Sequence, residues 1–252
     1  MIQVRAAFHV HSDWSYDGKW PLDRIARAFQ KRGYQIVMLT EHDRGFDEAR
    51  RQDHREACRR ASSDDILLVP GIEYSDSANL IHILTWGNVP FAGENIQTAE
   101  VLAAVEAANG VAVFAHPSRK AAWKSFDRAW RDRILGIECW NRKTDGWAPS
   151  RDAWGLLEMT QSLAFVGLDF HDSRQFFPLA TTLELERPVS EDAVLASLRS
   201  RHCMSKAFGM PVRSFGNGGA TKTLRCAEWV RRRVAFLFRK MTVRARPKID
   251  LR

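Results

Sequence analysis

The chain has 252 residues, 45% of them apolar, with a formal net charge of +8. That length suits one large α/β domain, or one domain with a small appendage, and the composition agrees with a globular protein that buries a substantial core. Four scattered cysteines (Cys58, Cys139, Cys203, Cys226) without C-x-x-C spacing argue against a disulfide framework. With no leader pattern and no apolar run near ~18–20 residues, secretion and membrane spanning are disfavoured and a cytoplasmic protein is expected.

Short apolar runs alternate with amphipathic stretches of helix length. Val4–Phe8 reads as a strand, and Pro21–Arg32 as a helix with Leu22, Ile25, Ala26 and Phe29 on one face. Ile36–Leu39 is the next strand, followed by a charged, solvent-facing helix over Phe46–Ala61 and a strand over Ile66–Val69. Leu80–Leu84 is another strand, and a helix opens near Thr98 and stops at Asn109-Gly110. Strands over Val111–Ala115, Ile134–Cys139 and Leu163–Leu168, with helices over Pro149–Met159 and Ser190–Arg201, complete the pattern. Such alternation predicts βα units and a mostly parallel sheet.

A glycine-rich linker is expected at 214–221, separating a body over 1–213 from a basic tail over 222–252. Leu224, Ala227, Val230, Val234, Leu237 and Met241 fall on helical spacing in that tail, which predicts a terminal amphipathic helix docked on the body with its arginines solvated. From Lys222 to Arg252 eleven Lys and Arg face only Glu228 and Asp250, a local net of +9, so residues 1–221 are close to neutral.

Six of the eight histidines follow or sit within the short apolar runs: His9, His11, His42, His82, His116 and His171. Two carboxylates, Glu73 and Asp169, stand at matching places. A lone buried histidine is more often a hydrogen-bonded core residue than a ligand, but that reading weakens as cases accumulate at strand ends, where α/β barrels gather their chemistry. Imidazoles and carboxylates collected at one mouth read as a metal cage of all-N/O donors, suited to Mn, Fe or Zn. His54 and His202, in charged helix-like surroundings, read as surface residues.

The residues His9-x-His11-Ser12, Ser15-Tyr16-Asp17-Gly18, Leu39-Thr40-Glu41-His42-Asp43, Gly71-Ile72-Glu73-Tyr74-Ser75, His82, Ala115-His116-Pro117 and Gly167-Leu168-Asp169-Phe170-His171 come in an order that resembles the PHP (polymerase and histidinol phosphatase) superfamily. The resemblance spans roughly 5–175. It implies a distorted seven-stranded β/α barrel with up to three divalent ions at its mouth, hydrolysing a phosphomonoester or phosphodiester by metal-activated water. His9, His11, Glu73 and Asp169 would hold the first ion; Glu73 would bridge to a second held by His82 and His116; Asp17, His42 and His171 would hold a third. Asp13 competes with Asp17 for that role, and either can simply cap a loop. Glu41 stands where the family often has Asp.

Glu73, Asp169 and His171 are thus the expected catalytic groups, with Arg119 in His116-Pro117-x-Arg119 as a phosphate clamp. Arg142 and Arg174 are weaker choices. Some family members that act on nucleotides or short RNA have an arginine in this arrangement, so the resemblance favours a small phosphate ester or nucleotide substrate. Trp14, Trp20, Trp86, Trp123, Trp140 and Trp147 near the motif loops are expected to pack in core or rim, with a base-stacking wall as the alternative. Two rivals stand beside this reading: a metallohydrolase attacking a carbonyl with the same activated water, and a protein that binds nucleic acid or an acidic surface through its C-terminal tail.

Overall fold

A computed structural model describes residues 1–216 and 218–244; Asn217 of the expected linker and residues 245–252 of the expected tail lie outside the described residues. The elements in chain order are β1 (Ile2–Val10), α1 (Leu22–Gln30), β2 (Ile36–Leu39), β3 (Glu41–His42), α2 (Glu48–Ala61), β4 (Leu67–Val69), β5 (Gly71–Ser75), β6 (His82–Trp86) and α3 (Thr98–Ala107). They continue with β7 (Val111–Phe114), β8 (Gly136–Asn141), α4 (Arg151–Thr160), β9 (Leu163–Gly167), β10 (Leu179–Leu185), α5 (Glu191–Arg199), β11 (Cys203–Ala207), β12 (Met210–Pro211) and α6 (Gly219–Arg244).

The strands form two six-stranded sheets, in the orders β12-β11-β10-β1-β2-β4 and β3-β5-β6-β7-β8-β9. Two expected strands are each followed at once by a strand of the other sheet: Thr40 separates β2 from β3, and Pro70, which has no N–H to give a ladder, separates β4 from β5. Backbone bonds tie the sheets together beside the first strand: Leu168 N donates to Phe8 O (3.0 Å), Phe170 N to His9 O (3.0 Å) and His11 N to Phe170 O (2.8 Å). Ile36, Met38, Leu84, Val113 and Phe165 from both sheets join one buried apolar cluster with Phe8 and Trp86, whose rings meet edge to face at 5.5 Å.

The pairing is mixed rather than mostly parallel. β6 runs antiparallel to both β5 and β7; the Asp76–Ile81 connection from β5 is far too short for a parallel crossover. The β10–β12 meander, absent from the expected set, pairs antiparallel to β1. Helix starts follow capping chemistry: Asp47, Ser150 and Ser190 accept from Arg50 N, Ala153 N and Ala193 N.

Three expectations change on the helices. Thr98 is the first residue of α3, not its cap. α2 is not simply an outer helix, because Arg51, His54 and Cys58 form a buried stripe. The 214–221 segment is anchored rather than free: Phe215 is buried against Trp140 (5.7 Å), and Thr221, also buried, donates to Phe215 O at 2.6 Å.

α6 sits on the body through polar groups. Glu228 is buried and accepts from Trp147 N, Arg231 and Arg232. Leu224 packs against the core, yet Val230 and Val234 of the expected docking stripe are 47% and 45% exposed. The docked face is therefore centred on Glu228 with Leu224 beside it, and Val230 and Val234 of the apolar stripe are left exposed.

Candidate metal centre

All nine expected donors lie in one cleft region, and the backbone explains how. Most reach it from the C-terminal ends of parallel strands or the loops just beyond. His82 reaches it from the start of β6, because an antiparallel strand presents its beginning where its neighbours end. His9 sits at a register shift in β1 with φ 61, and Asp169 and His116 also have left-handed backbones (φ 47 and 26). These conformations are costly for non-glycine residues and re-aim the side chains inward.

Glu73, 1% exposed, is the hub. Its Oε1 lies 2.7 Å from His82 Nδ1 and 3.0 Å from His116 Nε2. Its Oε2 lies 3.2, 3.3 and 3.4 Å from His11 Nε2, His42 Nδ1 and His9 Nε2. Asp169 Oδ1 stands 3.4 Å from His171 Nδ1 and 3.8 Å from both His9 and His11. Asp17 meets His171 Nε2 at 3.0 Å and His42 Nε2 at 3.3 Å. Asp13, by contrast, is exposed.

The proton positions follow from the partners. Ser15 has one hydroxyl proton, which it donates to the Glu41 carboxylate, so His11 Nδ1–H must donate to Ser15 Oγ (3.3 Å) and His11 Nε2 is a bare lone pair. That Nε2 is buried with no hydrogen bond although Glu73 Oε2 is 3.2 Å away. Two acceptors facing each other across such a gap suit a cation between them. His9 is fixed likewise: Nδ1–H donates to Glu138 Oε1 at 2.8 Å, leaving Nε2 for the cleft. His171 Nδ1–H donates to the Asp169 carbonyl at 2.9 Å.

The electrostatics agree for His11, and at His9 they favour a second proton at the place a cation would take. Burial and neighbouring His42 push His11 down to about 3, so it stays neutral. For His9 burial acts downward, but Glu138, Asp169 and Glu73 outweigh it and raise it well above its ordinary value. Burial would raise Glu73, yet His9 and His82 hold it well below the usual carboxylate range. Negative charge therefore concentrates where the imidazoles converge. Among the described residues three sets of donors lie close enough to share an ion: His11, His42 and His171; His9, Glu73 and His116; and His9, His11 and Asp169.

The cleft above them has a volume of about 660 Å³ and carries three cations at its lining, Arg44, Arg119 and Lys143. Arg119 donates to Asn79 O and Oδ1, each at 2.9 Å, and Asn79 Oδ1 in turn accepts from His82 Nε2 at 2.7 Å. Arg142 and Arg174 do not line the cleft; Arg142 stacks over Phe177 (5.0 Å) and Arg174 pairs with Asp172 (2.6 Å). No tryptophan lines it either; Trp86 and Trp140 are buried, their indole N–H groups donating to Leu39 O and Gly146 O. The aromatic ring at the mouth is Tyr16, 66% exposed and stacked on His42 at 5.0 Å.

Glu138 and Lys143 are the residues sequence reasoning missed. A lone glutamate in the otherwise apolar Gly136–Cys139 run was the available signal for the first; nothing singled out the second. His54 is a correction: at 1% exposure it is no surface residue, and its Nε2 lies 3.5 Å from Glu41 Oε1. Its spacing with Arg51 and Cys58, one helical face, carried that information.

No protein-family profile matches the chain, and no curated sequence is similar to it. Solved structures do match. A two-domain protein containing a predicted PHP-like metal-dependent phosphoesterase from Bacteroides vulgatus superposes with TM-score 0.62 at 18% identity, over 82% of this chain and 65% of that one. PsfC from Pseudomonas syringae gives TM-score 0.62 at 15% identity, over 93% of this chain and 100% of the other. The lesion-specific endonuclease PfuEndoQ from Pyrococcus furiosus gives 0.55 at 12%, over 79% of this chain and 56% of that one. The chain thus spans less than two thirds of the first and third of these proteins. The chain shares the fold of these proteins, the first of which contains a predicted PHP-like metal-dependent phosphoesterase.

Proposed function

We propose that the chain is a metal-dependent phosphoesterase, hydrolysing a phosphomonoester or phosphodiester of a nucleotide or short RNA. The observation that carries this reading is the division of Glu73: one oxygen faces His82 and His116, the other His9, His11 and His42. A carboxylate shared in this way suits two adjacent ions. In our reading His9, His11, Glu73 and Asp169 hold one ion, Glu73, His82 and His116 a second, and Asp17, His42 and His171 a third, each Mn, Fe or Zn. When bound, such ions supply an activated water and neutralise charge on a phosphoryl group.

The protein's own groups do the rest. Glu138 and Ser15 keep the lone pairs of His9 and His11 turned inward. Arg44, Arg119 and Lys143 offer cationic partners to the non-bridging oxygens, which favours a phosphate over an uncharged carbonyl substrate. The exposed Tyr16 ring offers a stacking face for a base. That a neighbour of the same fold is by name an endonuclease is in line with a nucleic-acid-derived substrate.

The test is a panel of phosphomonoesters, phosphodiesters and nucleotides after loading with Mn, Fe or Zn, with His116→Ala as the inactive control. Arg119→Ala should raise KM for the preferred ester by about tenfold or more, the range of a lost charged hydrogen bond. Activity on none of the esters in any metal form overturns the assignment, and turnover of amides or carboxylic esters instead would favour the carbonyl-attacking rival.

The exposed apolar residues of α6, flanked by arginines, support a second role for the tail: recruitment to an anionic surface, either RNA or an acidic membrane. No helix among the described residues is long and apolar enough to cross a membrane.

A further inference from the structure

Lys143 stands where the third ion of that reading would bind. The lysine follows β8 on a loop tied down at its base: Thr144 N donates to Asn141 Oδ1 (2.9 Å), Asp145 N to Asn141 O (2.8 Å), and Asn141 N to Asp145 Oδ2 (2.8 Å). The stem then runs into the cleft. Its ammonium lies 3.0 Å from His171 Nε2, 3.4 Å from His171 Nδ1, 3.4 Å from Asp169 Oδ1 and 4.0 Å from Asp17 Oδ2.

An ammonium only donates. The Nδ1 proton of His171 is already given to the Asp169 carbonyl, so the ammonium takes the Nε2 lone pair. That lone pair and the Asp17 carboxylate are the donors a divalent ion would need. Lysine and ion therefore compete for the same electrons, and their like charges repel at such separations. The Glu73 side of the cleft is different. Among the described residues no lysine or arginine pairs with Glu73; all its ionic partners are imidazoles.

We propose that Lys143 makes the Asp17–His171 position a weak, exchangeable cation site. The chain takes two ions tightly through Glu73 and Asp169, and a third only by displacing the lysine. Resting on the metallophosphoesterase reading, this adds a consequence for substrate binding: the displaced ammonium, 41% exposed and part of the cleft lining, joins Arg44 and Arg119 in facing the ester.

The test counts metal rather than turnover. The full chain is dialysed against graded Mn²⁺ and its bound manganese measured by atomic emission. Wild type should retain two ions and take the third about tenfold or more weakly. Lys143→Met should tighten the third ion by about tenfold, while Lys143→Arg, which keeps the charge, should remain weak. Thermal melts give an independent reading. In chelator Lys143→Met should melt lower than wild type, since Asp17 and Asp169 lose their cation, and Mn²⁺ should raise its melting temperature by more. Three equally tight ions in wild type, or an unchanged third affinity in Lys143→Met, overturns the proposal and leaves the phosphoesterase reading standing. Failure of wild type to retain any manganese, iron or zinc overturns both.

Discussion

Glu138 controls more of the site than its distance from the cleft suggests. It is 1% exposed and spends its two oxygens on His9 Nδ1 (2.8 Å), His116 N (2.9 Å) and Asn141 Nδ2 (3.0 Å). All three are donors, so only a carboxylate satisfies them together. In Glu138→Gln the amide N–H meets either His9 Nδ1 or both His116 N and Asn141 Nδ2. If the amide turns toward His9, the imidazole must move its proton to Nε2 and lose the lone pair it presents to Glu73. The expected result is a fall of about 10–100-fold in metal affinity, measured by competition with a chelator, with circular dichroism unchanged. Wild-type affinity in Glu138→Gln would mean that His9 is oriented by something else. Glu41 has the corresponding place behind His11, accepting from both Ser12 and Ser15; against the upward pull of burial, His54 above all, with His11 and Ser12, holds it down to about 2.

At the scale of elements, the tolerances are set by strand crossings. Gly167 closes β9 at a point where a Cβ would overlap the Glu138 carboxylate and crowd His9 Cβ at 3.1 Å. Gly167→Ala should therefore cost about 1–3 kcal/mol in denaturant unfolding, through overpacking, and loosen metal as well. Gly155, exposed in α4 with open space around it, is the matched control. Gly155→Ala should stabilise by about 1 kcal/mol, because alanine only restores helix propensity there. Equal effects at the two glycines would remove the close approach as the cause.

This geometry also explains what the sequence could and could not disclose. His9, His42, His116 and Asp169 were legible because each ends an apolar run, and a run's end is a position in a fold. His82 lay inside its run, and only the antiparallel turn of β6 accounts for it. The left-handed backbone at His9, His116 and Asp169 leaves no mark in residue type. The β10–β12 meander was missed because Leu179–Leu185 carries Thr and Glu among its apolar residues, a half-buried alternation weaker than the continuous runs of the buried strands.

For the whole molecule, the question is how α6 relates to the cleft. The helix rests on the loop that carries Lys143: Arg232 donates to Thr144 O (3.0 Å) and Asp145 O (3.3 Å), while Glu228 accepts from Trp147 N (3.2 Å). Its docked face is thus centred on a charged group, while Trp229, Val230 and Val234 are 58%, 47% and 45% exposed among exposed arginines. An amphipathic helix docked on a body normally buries its apolar stripe, so the exposed Val230 and Val234 are available to something else. Phosphate backbone alone would need the arginines and not the valines; an acidic bilayer would use both. Full-length protein should therefore co-sediment with vesicles containing anionic phospholipid at low salt and be released as salt rises. Val230→Asp with Val234→Asp should reduce that binding by about tenfold or more, from lost apolar burial and added repulsion. The same double variant should still bind single-stranded RNA if the arginines alone make that contact. Vesicle binding unchanged by the two aspartates would rule out the apolar stripe and leave RNA as the surface the tail is built for.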